Sequence, residues 1–254
     1  MPFDEQAAIE EFWAARARGE YFPRQWFDRL TLDEAYRIQL GVIARRVAAG
    51  ERQIGWKVGL TAQPIQQQFG FHEPVFGCIL DSRPSGHMFR RDELIRPGFE
   101  PELCLRVGRA LSGEADIASA RHAIDAVYPS LEIIETRGDF TAQIAVAMAD
   151  NAQQKTVILG DPVPLGDLAL DAVAATVRIN GNTVATGRGD AVLGNPLNSV
   201  AWLAHKLREF GRELRPGDII MSGSFTRQFP IAAGDRVTVE FSGVGEVRVG
   251  MAAG

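Results

Sequence analysis

Residues 99–107, Phe99-Glu100-Pro101-Glu102-Leu103-Cys104-Leu105-Arg106-Val107, read as one β-strand. Side chains alternate across a strand, so Glu100 and Glu102 share one side while Phe99, Leu103 and Leu105 take the other register. Neighbouring carboxylates repel, and uncompensated charge near apolar residues is costly. Some thirty residues on, Ser130-Leu131-Glu132-Ile133-Ile134 draws a third carboxylate toward an apolar layer. A hard divalent cation such as Mg²⁺ or Mn²⁺ takes oxygen ligands and would satisfy Glu100, Glu102 and Glu132 together. Spacing alone also admits a solvated strand face, the common setting of alternating charge.

Around this stretch the chain is β-rich. Gly55–Leu60, Phe76–Leu80, Glu102–Val107, Leu131–Ile134, Lys155–Leu159 and Ala175–Ile179 are short apolar runs punctuated by Gly and Pro. Asn180-Gly181-Asn182 marks a hairpin. Further strands are expected at Ile219–Ser222, Val237–Phe241 and Gly245–Val249, and helices at 115–127 and Leu197–Phe210. The first fifty or so residues differ. Ile9, Phe12 and Trp13 recur at helical spacing within Asp4–Arg18, and Thr31-Leu32-Asp33-Glu34 fits a capping box. The helix after it would bury Tyr36, Leu40, Ile43 and Val47 and stop near Gly50. The expected organisation is a helical N-terminal arm (residues 1–53) and a β-rich catalytic domain (54–254) in one structural unit. The class is α+β, without the regular βαβ alternation of a nucleotide-binding sheet.

Composition narrows the functions. A chain of 254 residues with 46% hydrophobic and 23% charged content can bury a full core. A net charge of −5 gives no general attraction to nucleic acid or an anionic membrane. No apolar run reaches transmembrane length, and Met1-Pro2-Phe3-Asp4-Glu5 lacks the basic and apolar regions of a signal peptide. Cys78 and Cys104 without further framework read as reduced, packed residues. A cytoplasmic protein is expected.

Seven pieces, in order, resemble the 2-keto-4-pentenoate hydratase and 4-oxalocrotonate decarboxylase family of the fumarylacetoacetate hydrolase superfamily. They are Gly55–Thr61, Phe99–Glu102, Pro129–Arg137, Ala149–Ala152, Leu193–Asn198, Gly217–Thr226 and Gly245–Gly250. The resemblance implies a mixed β-sandwich or rolled sheet with a helical N-terminal region. It implies a Mg²⁺ or Mn²⁺ ion on carboxylates matching Glu100, Glu102 and Glu132, and a 2-hydroxy-2,4-dienoate or 2-oxo acid substrate in meta-cleavage aromatic catabolism. It also implies homo-oligomers and possible association with a partner enzyme of the pathway.

Within that frame Lys57, flanked by Trp56 and Val58, is the expected acid/base or electrostatic residue, since burial lowers a lysine pKa. A lysine snorkelling to solvent is the competing reading. Asp150 and Asn151 are expected to orient water or a substrate oxygen, with a simple turn as the alternative. Ser224, Phe225, Thr226 and Phe76 are the remaining expected substrate contacts. Arg227 reads either as a partner for a second substrate carboxylate or as a surface residue. Glu135 and Arg137 read as a pair orienting Glu132 or as an ordinary surface pair.

Three positions depart from the family pattern. Val75 replaces an aspartate in Pro-Asp-aromatic-Gly; Gln153-Gln154-Lys155 replaces small residues and glycine; Asn195 replaces histidine before Pro196-Leu197. The expected activity is a metal-dependent hydratase of 2-hydroxy-2,4-dienoates. Its competitors are a decarboxylase of 2-oxo-3-hexenedioate (4-oxalocrotonate), a diketo-acid C–C hydrolase and a non-catalytic oxo-acid binder.

Overall fold

The computed structural model describes residues 3–62, 66–67 and 72–253. The larger of two sheets contains β1 (Gly55–Gly59), β2 (Val75–Ile79), β3 (Ser82–Pro84), β5 (Pro97–Val107), β6 (Ile124–Glu135), β7 (Gln154–Leu159), β8 (Val163–Pro164), β11 (Ile219–Ser224) and β12 (Phe229–Pro230). The smaller contains β4 (His87–Phe89), β9 (Ala174–Ile179), β10 (Asn182–Arg188), β13 (Arg236–Phe241) and β14 (Gly245–Met251). The large sheet runs β2-β1-β11-β5-β6-β7-β3, with β12 beside β5 and β8 beside β6. Its β1–β11 and β3–β7 pairs are parallel and the others antiparallel. Twist accumulates across so many strands, and β2 returns against β7, rolling the sheet. The small sheet runs β10-β9-β13-β14-β4 and lays β14 across β6 and β7. The architecture is the α+β rolled mixed sheet expected from the sequence.

The hairpin between β9 and β10 turns on Asn180 (φ 52°) and Gly181 (φ 83°), the two positive values that a two-residue hairpin turn requires. At the N-terminus, α1 (Glu5–Ala17) starts on Asp4, and α2 (Leu32–Ala48) starts on the complete Thr31/Glu34 capping box. The buried stripe of α2 is wider than its periodicity predicts. Ile38, Gln39 and Val42 are buried along with Tyr36 and Ile43, whereas Val47 is 43% exposed. The reason is that α2 is covered on two sides, by α1 and by the helix Ile144–Ala149. Between the arm and the sheet, Gln39 donates to the carbonyls of Phe76 (3.3 Å) and Met148 (2.7 Å).

The helix expected at 115–127 covers only Ile117–Ala123, and β6 begins at Ile124. Here strand pairing overrides local helical pattern: Ile124 pairs with Val107 and Ala126 with Arg106, while Asp125 takes both arms of the Arg106 guanidinium (2.8 and 3.1 Å). One apolar cluster joins Ile9, Phe12 and Tyr36 of the helical segment to Phe76, Phe99, Leu131 and Phe241 of the two sheets. Cys78 and Cys104 are buried and free. No helix among the described residues is long and apolar enough to cross a membrane.

Candidate metal centre

Strand register assembles the acidic cluster. Glu100 on β5 stands directly opposite Glu132 on β6, and Glu102 follows on the same side of β5. One carboxylate oxygen from each lies within 4.8 Å of the others. Lys57 enters from β1, separated from β5 by β11, and its Nζ stands 3.4 Å from Glu132 Oε1. Glu102 and Glu132 are 1% and 0% exposed and Lys57 is 5% exposed, so a solvated strand face and a snorkelling lysine are both excluded.

The electrostatics ask for more positive charge than Lys57 supplies. Burial raises the Glu100 carboxyl to about 7, helped by Glu132 and opposed by Lys57. Burial likewise pushes Glu102 well above the usual carboxylate range, with Glu132 and Glu100 adding to it and the Gly223 N–H (2.8 Å) pulling back. Glu132 is raised by burial against the pull of Lys57, whose ammonium, 3.4 Å from Oε1, is the one cation it faces among the described residues; Oε2 accepts no hydrogen bond from them. Buried oxygens without donors are rare and need a partner. Three carboxylates facing one ammonium form a hard, oxygen-only donor set that fits a small dication.

The Lys57 expectation is corrected in one respect. Burial does lower its pKa, but Glu132, Glu100 and Glu102 together outweigh burial, and the ammonium is held above its ordinary value. The three carboxylates thus favour the charged form of Lys57. Two glycines make room around this group. A Cβ at Gly77 would press on the Lys57 stem and on Asn151, each at 3.3 Å. At Gly223 (φ +115°), which donates to Glu102, a Cβ would meet Thr61 Oγ1 at 2.5 Å.

Lys57 and Glu100 open into a cavity of about 730 Å³. Ser224 and Thr226 line it, while Phe225, between them, points away and packs on Phe241 with ring centres 5.4 Å apart. Phe225, one residue past the end of β11, is thus a core residue. Phe76 is fully buried and stacked on Tyr36 at 4.2 Å, so its ring cannot contact a ligand in the cavity, whereas its neighbour Val75 does line it. Asp150 and Asn151 also turn elsewhere. The Asn151 side chain clasps β2, accepting from Cys78 N (2.7 Å) and donating to Cys78 O (2.8 Å). The Asp150 carboxylate receives Arg137 Nε (2.5 Å) and lines a small separate cavity against α1 and α2. Burial raises its pKa to about 6 against the pull of Arg137. Both side chains hold structure in place of the water-orienting role expected of them.

Arg137 and Glu135 form a buried pair (3.0 Å) that reaches Asp150 rather than Glu132. Lys155, 3.4 Å from Glu135, and Asn195, the N-cap of the helix Pro196–Glu209, both lie off the cavity lining. Among the described residues, none of the four histidines lines it.

Several lining residues escape the sequence reading, including Arg96, Phe140 and Gln228, while Thr136 lies in the quoted Pro129–Arg137 stretch and Gln153 among the departures from the family pattern. Thr61, also in the wall, at least closes the quoted Gly55–Thr61 stretch. Asn151, Ala152 and Gln153 have consecutive positive φ values of 57°, 50° and 60°, an unusual run for non-glycine residues at the cavity edge. Asn151 anchors the run on β2, and Gln153 anchors it by donating to Gly138 O (3.1 Å). No composition rule signals such a turn; only its position before β7 does.

Comparison with known proteins follows the same lines. A model of the fumarylacetoacetate (FAA) hydrolase C-terminal family matches residues 74–251. The 2-keto-4-pentenoate hydratase of Paraburkholderia xenovorans (strain LB400) is 35% identical over 250 residues, covering 96% of this chain and 93% of the relative. A 4-oxalocrotonate decarboxylase of Pseudomonas putida is 34% identical over 226 residues, 87% of this chain and 86% of the relative. The solved 4-oxalocrotonate decarboxylase from Pseudomonas putida G7, complexed with magnesium and adipate, superposes with a TM-score of 0.91 at 31% identity over 97% of each chain. At that identity and coverage, the chain belongs to the fumarylacetoacetate hydrolase C-terminal family.

Proposed function

We propose that this protein is a divalent-metal-dependent lyase that hydrates 2-hydroxy-2,4-dienoates in meta-cleavage aromatic catabolism, with Glu100, Glu102 and Glu132 as ligands for Mg²⁺ or Mn²⁺. The observation that carries the reading is the buried cluster of three carboxylates facing a single ammonium, with Glu132 Oε2 lacking a donor among the described residues, opening into a cavity sized for a small acid. Relatives named as hydratases, and a decarboxylase solved with magnesium, support it. When bound, the cation supplies Lewis-acid stabilisation of negative charge on the substrate's C2 oxygen.

The chain's own residues do the rest. Lys57, with Nζ 3.4 Å from Glu132 and its side chain in the cavity wall, serves as a cation and proton donor at Nζ. Ser224 and Thr226 present hydroxyls to orient a carboxylate, while Val75, Ile134 and Phe140 exclude bulk water. In hydration the enol proton is lost from O2 and a proton is placed on C5. Water then adds its oxygen to C4, and C3 takes a proton. Cytoplasmic location, homo-oligomeric assembly and association with a neighbouring pathway enzyme belong to the same reading.

A specific observation favours a second reaction. Val75 is buried and apolar in the cavity wall, where an aspartate would hold water. A dry wall suits decarboxylation of 2-oxohex-3-enedioate: the C5–C6 bond breaks, CO₂ leaves, and the electron pair runs through C3=C4 to the C2 oxygen. Mn²⁺-loaded protein incubated separately with 2-hydroxypenta-2,4-dienoate and 2-oxohex-3-enedioate tests both. Dienol loss without CO₂ is expected; CO₂ release establishes the decarboxylase; turnover of neither substrate refutes the lyase reading.

A further inference from the structure

Between the end of β6 and the helix Ile144–Ala149 the chain runs along the cavity, and Gly138, Asp139, Phe140 and Thr141 all line it. This stretch of wall belongs to neither sheet, so side chains that reach it from elsewhere set its position. On the β6 side, Arg137 is held by Asp150 (2.5 Å). In the middle, the Gln153 amide donates to Gly138 O (3.1 Å).

Two further supports come from the N-terminal segment. Asp28 N donates to Gln143 Oε1 (3.1 Å), and Gln143 Nε2 donates to Asp28 Oδ1 (3.0 Å), a two-point clasp between residues 115 positions apart. Gln143 stands at the N-cap of the helix Ile144–Ala149, yet its side chain makes no cap bond there. Asp28 has φ 57°, a left-handed value that costs a residue with a side chain, and both its N–H and its carboxylate meet the one amide. Phe22, which does not itself line the cavity, lies against Gly138 so closely that a Cβ there would fall 2.2 Å from its ring. The supporting segment is itself fixed, since Trp26 packs on Phe12 of α1 with ring centres 6.3 Å apart.

The clasp is poorly placed to carry the fold. Asp28 is exposed and Gln143 half-buried, and hydrogen bonds in such settings add little to global stability. It is well placed to fix one end of a four-residue wall. We propose that the N-terminal segment is a working part of the substrate cavity, with Asp28, Gln143 and Phe22 as positioning residues that hold the Gly138–Thr141 wall in its binding position. The proposal rests on the lyase reading for what the cavity binds and adds that the helical arm sets how tightly it is bound. The clasp's hydrogen bonds reach neither Lys57 nor the three carboxylates, so binding and chemistry separate.

Asp28→Ala removes one arm of the clasp and Gln143→Met removes both. Asp28→Asn keeps the Oδ1 acceptor and the backbone N–H, and asparagine tolerates the left-handed backbone. A wall in its binding position only a tenth of the time binds about tenfold more weakly. In calorimetric titration of the Mn²⁺-loaded full chain with 2-oxopentanoate, Asp28→Ala and Gln143→Met are each expected to lose about 5- to 20-fold in affinity. KM for whichever lyase substrate is turned over should rise by the same factor with kcat within about twofold, and Asp28→Asn should restore both. Mn²⁺ affinity is expected to be unchanged throughout. In the metal-free full chain, amide hydrogen exchange over residues 138–143 should quicken about tenfold in the two disrupting variants and return to the parental rate in Asp28→Asn. Parental affinity for 2-oxopentanoate in Asp28→Ala and Gln143→Met overturns the proposal and leaves the lyase reading standing. A loss that extends to kcat or Mn²⁺ affinity is general structural damage and also overturns it. Failure of the parent chain itself to bind 2-oxopentanoate overturns the lyase reading and the clasp's role in binding with it, whatever the exchange rates.

Discussion

Lys57 shows how far a buried residue's chemistry depends on its neighbours. Burial pulls its pKa down, but the three carboxylates around it reverse the sign and hold it above the ordinary lysine value. Replacing it therefore has two separable effects. Lys57→Met is expected to lower kcat by about 10²- to 10⁴-fold through loss of the proton donor. The same change removes a positive charge beside Glu132, so Mn²⁺ should bind at least as tightly as in the parent chain. Steady-state kinetics and a Mn²⁺ titration on the same preparation check both. A loss of Mn²⁺ affinity would show that Lys57 acts by holding the carboxylates in place.

At the scale of elements, the centre depends on β6 continuing past Glu132 into a buried ionic knot. Arg137, whose side chain is 3% exposed, joins Glu135 and Asp150 and lies 5.1 Å over the Tyr21 ring of the helical segment. Just beyond it, Gln143 exchanges hydrogen bonds with Asp28 (3.1 and 3.0 Å), and Gly138, Asp139 and Phe140 line the cavity. The knot therefore ties the N-terminal helices to the cavity wall. Arg137→Met strands two buried carboxylates and is expected to cost about 3–5 kcal/mol. Urea unfolding measures that loss, and Mn²⁺ affinity of the folded fraction should be unaltered, because Arg137 touches none of the three cluster carboxylates.

The whole molecule registers the cluster through pH. Glu100 has a folded-state pKa of about 7 against an ordinary 4.5, and Glu102 and Glu132 are raised as well. Between those values the metal-free folded state keeps protons that the unfolded chain has released. Its stability from these groups is therefore greatest on the acid side and declines as pH rises toward about 7. A bound dication reverses this, because its ligands must be deprotonated and its affinity grows with pH. The prediction concerns a difference: the Tm gap between Mn²⁺-loaded and EDTA-treated protein should widen steadily from about pH 5 to about pH 7.5. A gap that is constant or narrows would exclude linkage between these carboxylates and the ion. In Glu102→Gln the gap should nearly vanish.

Much of this was legible in the linear chain. Alternation in Phe99–Val107 put Glu100 and Glu102 on one side of a strand, the Thr31/Glu34 spacing marked a helix start, and Asn180-Gly181 marked a hairpin, because each depends on backbone geometry within a few residues. The order of the quoted pieces likewise reached the family without any structure. What period-two patterning could not tell was which apolar neighbour faces a cavity and which faces the core, since both sides of the central strands are buried. Phe76 and Phe225 went into the core, Asp150 and Asn151 became struts, and Arg96 and Thr136 arrived in the wall. The chemical types at the centre were set by local sequence. Their convergence was decided by strand register and sheet roll, which bring Lys57, Glu100 and Glu132 together across distant parts of the chain.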